Sequence, residues 1–309
     1  MKARQISLKS TLSRRDLARL VGERPSPGHF DAVVDSSVDA YDVDTGRLVF
    51  RFRKGVLDPG AVTLAREIFG DIDTRMTPSY RRKSAAGKLD LERIRTFRSD
   101  VVAIEPLDRN AFAGHFILES GKRLRLPLSN PVLSYIAGYT YNRYTKVAGT
   151  GGFSARFPDR WRAAVPFFDT IGECFSSVMP SESTHMRDWC RANGVLPRFT
   201  IGKTCLSTVA INVNYESCYH FDQGDLPTGY STLTALGVGG DYRGGELVFP
   251  QFRIAVDVRD GDLLCNQSHL DLHGNTAVIS LNTGAKRISF VTYLKKLLKH
   301  ATKRPDRVE

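Results

Sequence analysis

The stretch between Tyr219 and Leu294 carries Y-H-F-D-Q-G-D at 219–225, G-G-E-L-V-F at 244–249, D-V-R-D-G-D-L-L at 257–264, S-H-L-D-L-H-G-N-T at 268–276 and K-R-I-S-F-V-T-Y-L at 286–294. His220 and Asp222 are two residues apart, and in an extended strand that spacing turns both side chains to one face. His273 and then Arg287 follow. Two histidines and one carboxylate, with other coordination positions left open, make the facial triad of non-heme Fe(II) oxygenases. The planar fork of Arg287 suits the distal carboxylate of a keto-acid cosubstrate, because it grips a carboxylate through two parallel hydrogen bonds. A lone H-x-D arises often by chance, and a single His in a strand is usually structural. Here the triplet is followed by G-D, H-G-N-T and R-I-S, the order such a site requires. Zinc is disfavoured: structural zinc sites draw on cysteine clusters, and Cys174, Cys190, Cys205, Cys218 and Cys265 show no paired spacing.

These residues resemble the Fe(II)- and 2-oxoglutarate-dependent dioxygenases, and within them the TET/JBP branch, which oxidises the methyl group of pyrimidine bases in nucleic acid. The resemblance rests on H-F-D-Q-G-D-L-P-T-G-Y-S at 220–231, G-G-E-L-V-F-P at 244–250, V-R-D-G-D-L-L at 258–264, S-H-L-D-L-H-G-N-T at 268–276 and R-I-S-F-V-T-Y at 287–293. It extends over about residues 130–295 and fades toward F-R-F-R-K-G-V-L at 50–57 and R-R-K-S-A-A-G at 81–87. It implies an α+β protein with a double-stranded β-helix (jelly-roll, cupin-like) core supported by N-terminal helices and strands. It also implies Fe(II) held by His220, Asp222 and His273. The 2-oxoglutarate would chelate the iron through its keto-acid end and meet Arg287 at its far carboxylate, with Ser289 on the same strand face as a hydroxyl donor. The implied reaction hydroxylates the 5-methyl group of 5-methylcytosine or thymine in DNA, consuming oxygen and releasing succinate and carbon dioxide.

Other readings stay open at this point. The substrate could be a protein side chain, as for a prolyl hydroxylase, or a free nucleoside. A noncatalytic DNA-binding module is a further rival, but a pure binder needs none of the H-x-D…H…R set. His269 competes with His273 as distal ligand, since His269-Leu270-Asp271 repeats the spacing; His273 is preferred because Gly274-Asn275-Thr276 follows it, which makes His269 a pocket or supporting group. Asp225 suggests a turn or substrate-side role. Asn212 and Asn214 share a strand face and either bind cosubstrate or satisfy backbone. Cys218 and Cys265 read as core packing, and His29, His115, His185 and His300 receive no role.

The whole chain of 309 residues is 41% hydrophobic and 10% aromatic, ample for a globular core. No apolar run is long enough to span a membrane, the first twenty residues lack a signal core, and the scattered cysteines read as reduced thiols. An intracellular protein, cytoplasmic or nucleoid-associated and monomeric, is expected. Residues 1–130 read as a basic N-terminal support region packed on an oxygenase core at 131–309. Strands are expected across 31–57 with a turn at 44–46, a helix from Asp58-Pro59 through Phe69, a hairpin within 98–125 turning at Asp108-Arg109-Asn110, and a helix over 161–178. The first twenty residues are expected to fray or to form a short helix from Ser13. Beyond Phe199 short strands are expected at 205–214, 217–222, 231–237, 246–249, 253–258, 262–265, 276–281 and 286–294, the texture of a sandwich or barrel.

The formal net charge is +11. Arg51/Arg53/Lys54, Arg81/Arg82/Lys83 and Lys295/Lys296/Lys299/Lys303/Arg304 form clusters interleaved with Tyr80, Tyr135, Tyr139, Tyr141 and Tyr144. Basic patches supply the sequence-independent part of nucleic-acid binding, so the partner expected is DNA. An enzyme acting on a base within duplex must flip it into its pocket, and the run S-Y-I-A-G-Y-T-Y-N-R-Y at 134–144 offers a candidate wall or plain core packing.

Overall fold

The computed structural model describes residues 3–107, 109–142 and 145–301. Its strands in chain order begin with β1 (Arg4–Leu8), β2 (Ala32–Val34), β3 (Val38–Asp42), β4 (Leu48–Arg53), β5 (Val101–Pro106), β6 (Gly114–Leu118), β7 (Ser134–Asn142) and β8 (Val147–Thr150). After the helices come β9 (Thr208–Val213), β10 (Ser231–Val238), β11 (Tyr242–Gly244), β12 (Leu247–Phe249), β13 (Ile254–Val256), β14 (Leu263–Asn266), β15 (Gly274–Asn275), β16 (Val278–Ser280) and β17 (Lys286–Tyr293). The helices are α1 (Arg14–Leu20), α2 (Pro59–Phe69), α3 (Ile72–Arg75), α4 (Leu91–Arg95), α5 (Gly152–Arg156), α6 (Pro158–Val178) and α7 (Pro180–Ala192). Among the described residues no helix is long and apolar enough to cross a membrane.

A large sheet runs β1-β3-β4-β14-β10-β17-β9-β7-β8, and a smaller one runs β15-β12-β13-β2. The two pack face to face: Phe50 of β4 stacks on Phe249 of β12 at 5.4 Å, and Phe52, Leu233, Leu264 and Val256 fill the space between. This is the α+β, double-stranded β-helix architecture expected. β1, β3 and β4 from the first 53 residues are hydrogen-bonded into the same large sheet as β14, β10 and β17.

Helices cover the outer face of the large sheet. α6 buries Trp161, Ala164, Phe168, Ile171 and Phe175, the i, i+3, i+4 spacing of one helical stripe. α2 starts where Asp58 Oδ2 accepts from the Ala61 N–H at 2.9 Å and Pro59 opens the first turn. Phe69, Phe167 and Phe168 surround Phe290 of β17 with ring centroids 4.9, 5.2 and 5.9 Å away. Burial of each such ring contributes about 1.5–3 kcal/mol.

Three segments depart from the sequence reading. The segment 217–222 is not a strand; only His220 pairs, in an isolated bridge with His273. Residues Arg4–Leu8 form a strand parallel to β3 instead of fraying, although the helix capped by Ser13 is present as expected. α7 was not expected, because its buried residues are only Ser183, Met186 and Cys190, too sparse an apolar stripe to stand out. The turn at Asp108 falls in part outside the described residues.

Candidate metal centre

Two short segments meet at the site. His220 N–H donates to the His273 carbonyl at 2.9 Å, and His273 N–H returns a bond to the His220 carbonyl at 3.2 Å. The Asn275 N–H donates to the Ser217 carbonyl at 2.9 Å, extending the contact by two residues. The approach explains the glycine of H-G-N-T: a Cβ on Gly274 would lie 2.8 Å from the Ser217 carbonyl oxygen and 2.9 Å from Pro25 Cγ. The two imidazoles stand 4.5 Å apart at 53°.

Each ring is held from behind. His220 Nδ1 contacts the Cys218 carbonyl at 2.8 Å and His273 Nδ1 the Asp271 carbonyl at 2.9 Å, which makes Nδ1 the donor and turns both Nε2 atoms toward Asp222. Asp222 faces both, its oxygens 3.5 Å from His220 Nε2 and 3.6 Å from His273 Nε2. The three ligand atoms lie within 4.8 Å of one another, the one such group of His, Cys, Asp and Glu among the described residues. Burial opposes ionisation of Asp222, but the two imidazoles outweigh it and hold the carboxyl well below its ordinary range. Burial likewise lowers the His273 pKa, and the Asp222 carboxylate more than reverses that. A divalent metal would displace the Nε2 protons behind these shifts, and a carboxylate between two such imidazoles is donor chemistry that fits iron.

His269 is not in this group. Its Nδ1 sits 3.1 Å from the Asp222 carbonyl, so it braces the ligand segment. Asp225 is buried, and its Oδ2 accepts from the Ser231 and Ser268 hydroxyls at 2.8 and 2.9 Å. Burial, with the Asp222 charge added, pushes its carboxyl well above the ordinary range. Cys218 and Cys265 are buried and outside the ligand group, as packing residues are.

Arg287 lies on β17, 3% exposed. Among the described residues its Nε and Nη2 have no hydrogen-bond partner, and the nearby Tyr242 hydroxyl is also buried without one. Burial lowers the pKa of the guanidinium, yet it remains a cation with unfilled donors, a costly arrangement unless an anion joins it. Gly245, at φ +82°, lies against it; a Cβ there would stand 2.6 Å from Arg287 Cδ, so only glycine permits the approach. Asn214, one residue past β9 at φ +44°, accepts the Arg287 N–H at 2.7 Å and thus serves backbone. Ser289 shares the Arg287 face, and its Oγ is 3.5 Å from Asn212 Nδ2. These orphaned donors fit the far carboxylate of a keto acid.

A cavity of about 320 Å³ opens at the triad. Its lining includes Asn212, Leu233, Leu247, Asn266 and Val291, together with Tyr215, Tyr293 and the basic residues Arg81, Arg82, Lys83 and Lys295. Tyr293 follows Arg287, Ser289 and Val291 at the strand period of two, a signal legible beforehand. Tyr215 and Asn266 carried no such signal. The tyrosine run is not this wall: Tyr135 is in the main core, Tyr139 packs on Phe199, Tyr141 on His300 and Tyr80 on Phe116. Arg51 and Arg53 both pair with Asp39, at 3.0 and 2.7 Å, and neither lines the cavity. Tyr144, Lys303 and Arg304 lie outside the described residues.

Residues 156–296 match the family model Tet_JBP, the oxygenase domain of the 2OGFeDO superfamily. Thymine dioxygenase JBP1 of Crithidia fasciculata is 31% identical over 172 residues, covering 54% of this chain and 20% of its own length. The bifunctional helicase and thymine dioxygenase JBP2 of Trypanosoma brucei brucei is 36% identical over 99 residues, 32% of this chain and 9% of its own. The chain thus spans a fifth or less of the length of these relatives. A solved structure of NgTET1 in complex with 5mC DNA superposes with TM-score 0.51 over 93% of both chains at 13% identity, a likeness of fold. Residues 156–296 are thus similar to the oxygenase domains of the 2OGFeDO superfamily that the Tet_JBP model describes.

Proposed function

We propose that the protein is an Fe(II)- and 2-oxoglutarate-dependent dioxygenase that hydroxylates the 5-methyl group of a pyrimidine, 5-methylcytosine or thymine, in DNA. The observation that carries the reading is the convergence of His220, Asp222 and His273 on one point at the floor of an open cavity. Iron bound there with 2-oxoglutarate would supply oxygen activation and C–H hydroxylation. His220 and His273 present Nε2 because their Nδ1 protons are committed to carbonyls, and Asp222 supplies charge. Arg287 receives the far carboxylate of 2-oxoglutarate, with Ser289 beside it. Leu233, Leu247 and Val291 keep water from the inner chamber. Arg81, Arg82 and Lys83 attract the phosphates at the mouth, and the base leaves its stack to reach the floor. Residues 131–309 act as the oxygenase core and 1–130 as its basic support.

The names of the JBP relatives and the family-domain match support this substrate class. The test incubates the Fe(II)-loaded protein and 2-oxoglutarate with methylated DNA, thymine DNA and free nucleosides, then digests and weighs the nucleosides. A hydroxymethyl product from DNA is expected; product from nucleosides alone, or from none, defeats the DNA reading.

A further inference from the structure

The turn between β3 and β4 is built to aim one arginine. Asp42 accepts from the Asp44 N–H at 3.0 Å and from the Thr45 hydroxyl at 2.8 Å. Gly46, at φ +68°, closes the turn by donating its N–H to the Asp42 carbonyl at 2.8 Å. Arg47 leaves this turn and crosses to the loop between β14 and β15. Its Nη1 and Nη2 donate to the two oxygens of Asp271 at 2.8 and 2.7 Å, and Nη1 also reaches Gln267 Oε1 at 3.3 Å. Gln251 Nε2 adds another donor to Asp271 at 3.3 Å. The Asp271 side chain is 4% exposed and that of Arg47 27%, so the carboxylate end of this two-pronged pair is withdrawn from water.

The loop held by Arg47 is the one that frames two of the three metal ligands. The Asp271 carbonyl accepts from His273 Nδ1 at 2.9 Å. The Ser268 carbonyl accepts the Asp222 N–H at 3.0 Å, and His269 Nδ1 braces the Asp222 carbonyl at 3.1 Å. We infer that Arg47 is a positioning residue for the metal centre: its grip on Asp271 fixes the loop whose backbone sets the orientation of His273 and Asp222. The inference rests on reading His220, Asp222 and His273 as a metal site. Arg47 lies outside the residues 156–296 that match the family domain, so the N-terminal hairpin completes the ligand frame in addition to extending the sheet. A lysine cannot replace it fully, because an ammonium lacks the planar fork that takes both carboxylate oxygens at once.

The test titrates Co(II) into the metal-free full chain without cosubstrate or DNA, reading affinity and the visible cobalt absorption. Partners that orient metal ligands change affinity by about 10- to 100-fold when removed. Arg47→Met is expected to weaken Co(II) binding by that order and to alter the absorption band, with Arg47→Lys intermediate. Ser37→Ala is the control for loosening the same hairpin at its other end, since the Ser37 hydroxyl accepts the Lys54 N–H at 3.0 Å; it should leave affinity and spectrum as in the wild type. Wild-type affinity and spectrum in Arg47→Met would overturn the inference, even if that variant melts earlier. Should Arg47→Met not fold, wild-type behaviour of Arg47→Lys would overturn it instead. A different result separates the underlying reading: if His273→Ala binds Co(II) like the wild type, the metal site itself is misassigned, whatever Arg47 does.

Discussion

The two faces of β17 do opposite work. Ile288 and Phe290 point into the helix layer, where Phe290 is ringed by Phe69, Phe167 and Phe168. Arg287 and Ser289 share the opposite face with Val291 and Tyr293, which line the cavity, and Arg287 carries donors without partners among the described residues. A strand's period of two separates stability from chemistry within eight residues. The chamber face holds groups that folding alone leaves unsatisfied; the helix face holds groups that nothing but folding uses.

Substitutions can break that division. The largest effect on activity is expected at the chamber floor. His220→Ala, Asp222→Ala or His273→Ala should each reduce turnover to background while far-ultraviolet circular dichroism stays that of the wild type, because the surrounding sheets are held by other side chains. Metal binding retained in His273→Ala but lost in His269→Ala would reverse the ligand assignment. On the opposite face, Phe290→Ala should cost about 3–5 kcal/mol in denaturant unfolding, the transfer loss plus a cavity among three rings. Its folded fraction should bind metal as tightly as the wild type; a parallel loss of affinity would show that the faces are coupled.

Arg287→Met sharpens the comparison further. A charge-assisted contact with 2-oxoglutarate is worth about 1.5–3 kcal/mol, so KM for the cosubstrate should rise roughly ten- to hundredfold. The ligand-free protein should be no less stable, since the change removes a buried cation that lacks partners. Unchanged KM, or a clear loss of stability, would make Arg287 a structural residue.

The smallest effect is expected in the helix layer at Asp71, which Arg160 of α6 and Arg75 both contact. The Arg160 guanidinium, donating to it, holds its carboxyl down to about 2. Because the folded value lies below the ordinary one, the stabilisation is complete above the unfolded pKa of about 3.9 and is lost as pH falls through about 2. The pair is partly exposed and therefore screened by salt. Asp71→Asn should lower stability slightly at neutral pH, with the two unfolding curves converging between about pH 4 and 2. A gap that persists at low pH would assign the effect to packing.

Much of this was legible in the chain. Local signals placed the 44–46 turn, the Asp58-Pro59 helix start, the α6 stripe and most short strands, since each depends on neighbours a few residues apart. His273 was separable from His269 by the Gly274 that follows it, and the structure supplies the reason: only a glycine admits the Ser217 segment. The segment 217–222 misled because its apolar alternation is that of a strand, while its β-bridge is limited to His220 with His273 and its other backbone bonds go to scattered loops such as those of Glu23, Ala85 and Ser268. The tyrosine run misled because aromatic content does not say which face a residue takes.

The sequence by itself determined the candidate ligand types, their order and the arginine that follows, because the spacing of H-x-D and R-x-S is a local property of extended chain. Only the tertiary structure decided the rest. Arg51 and Arg53 are tied to Asp39, Arg287 is left with open donors, and Arg47 reaches Asp271 from the far end of the chain. Partners separated by 224 residues leave no periodicity in the sequence, and burial, which sets what an unpaired charge costs, exists only once the sheets have closed.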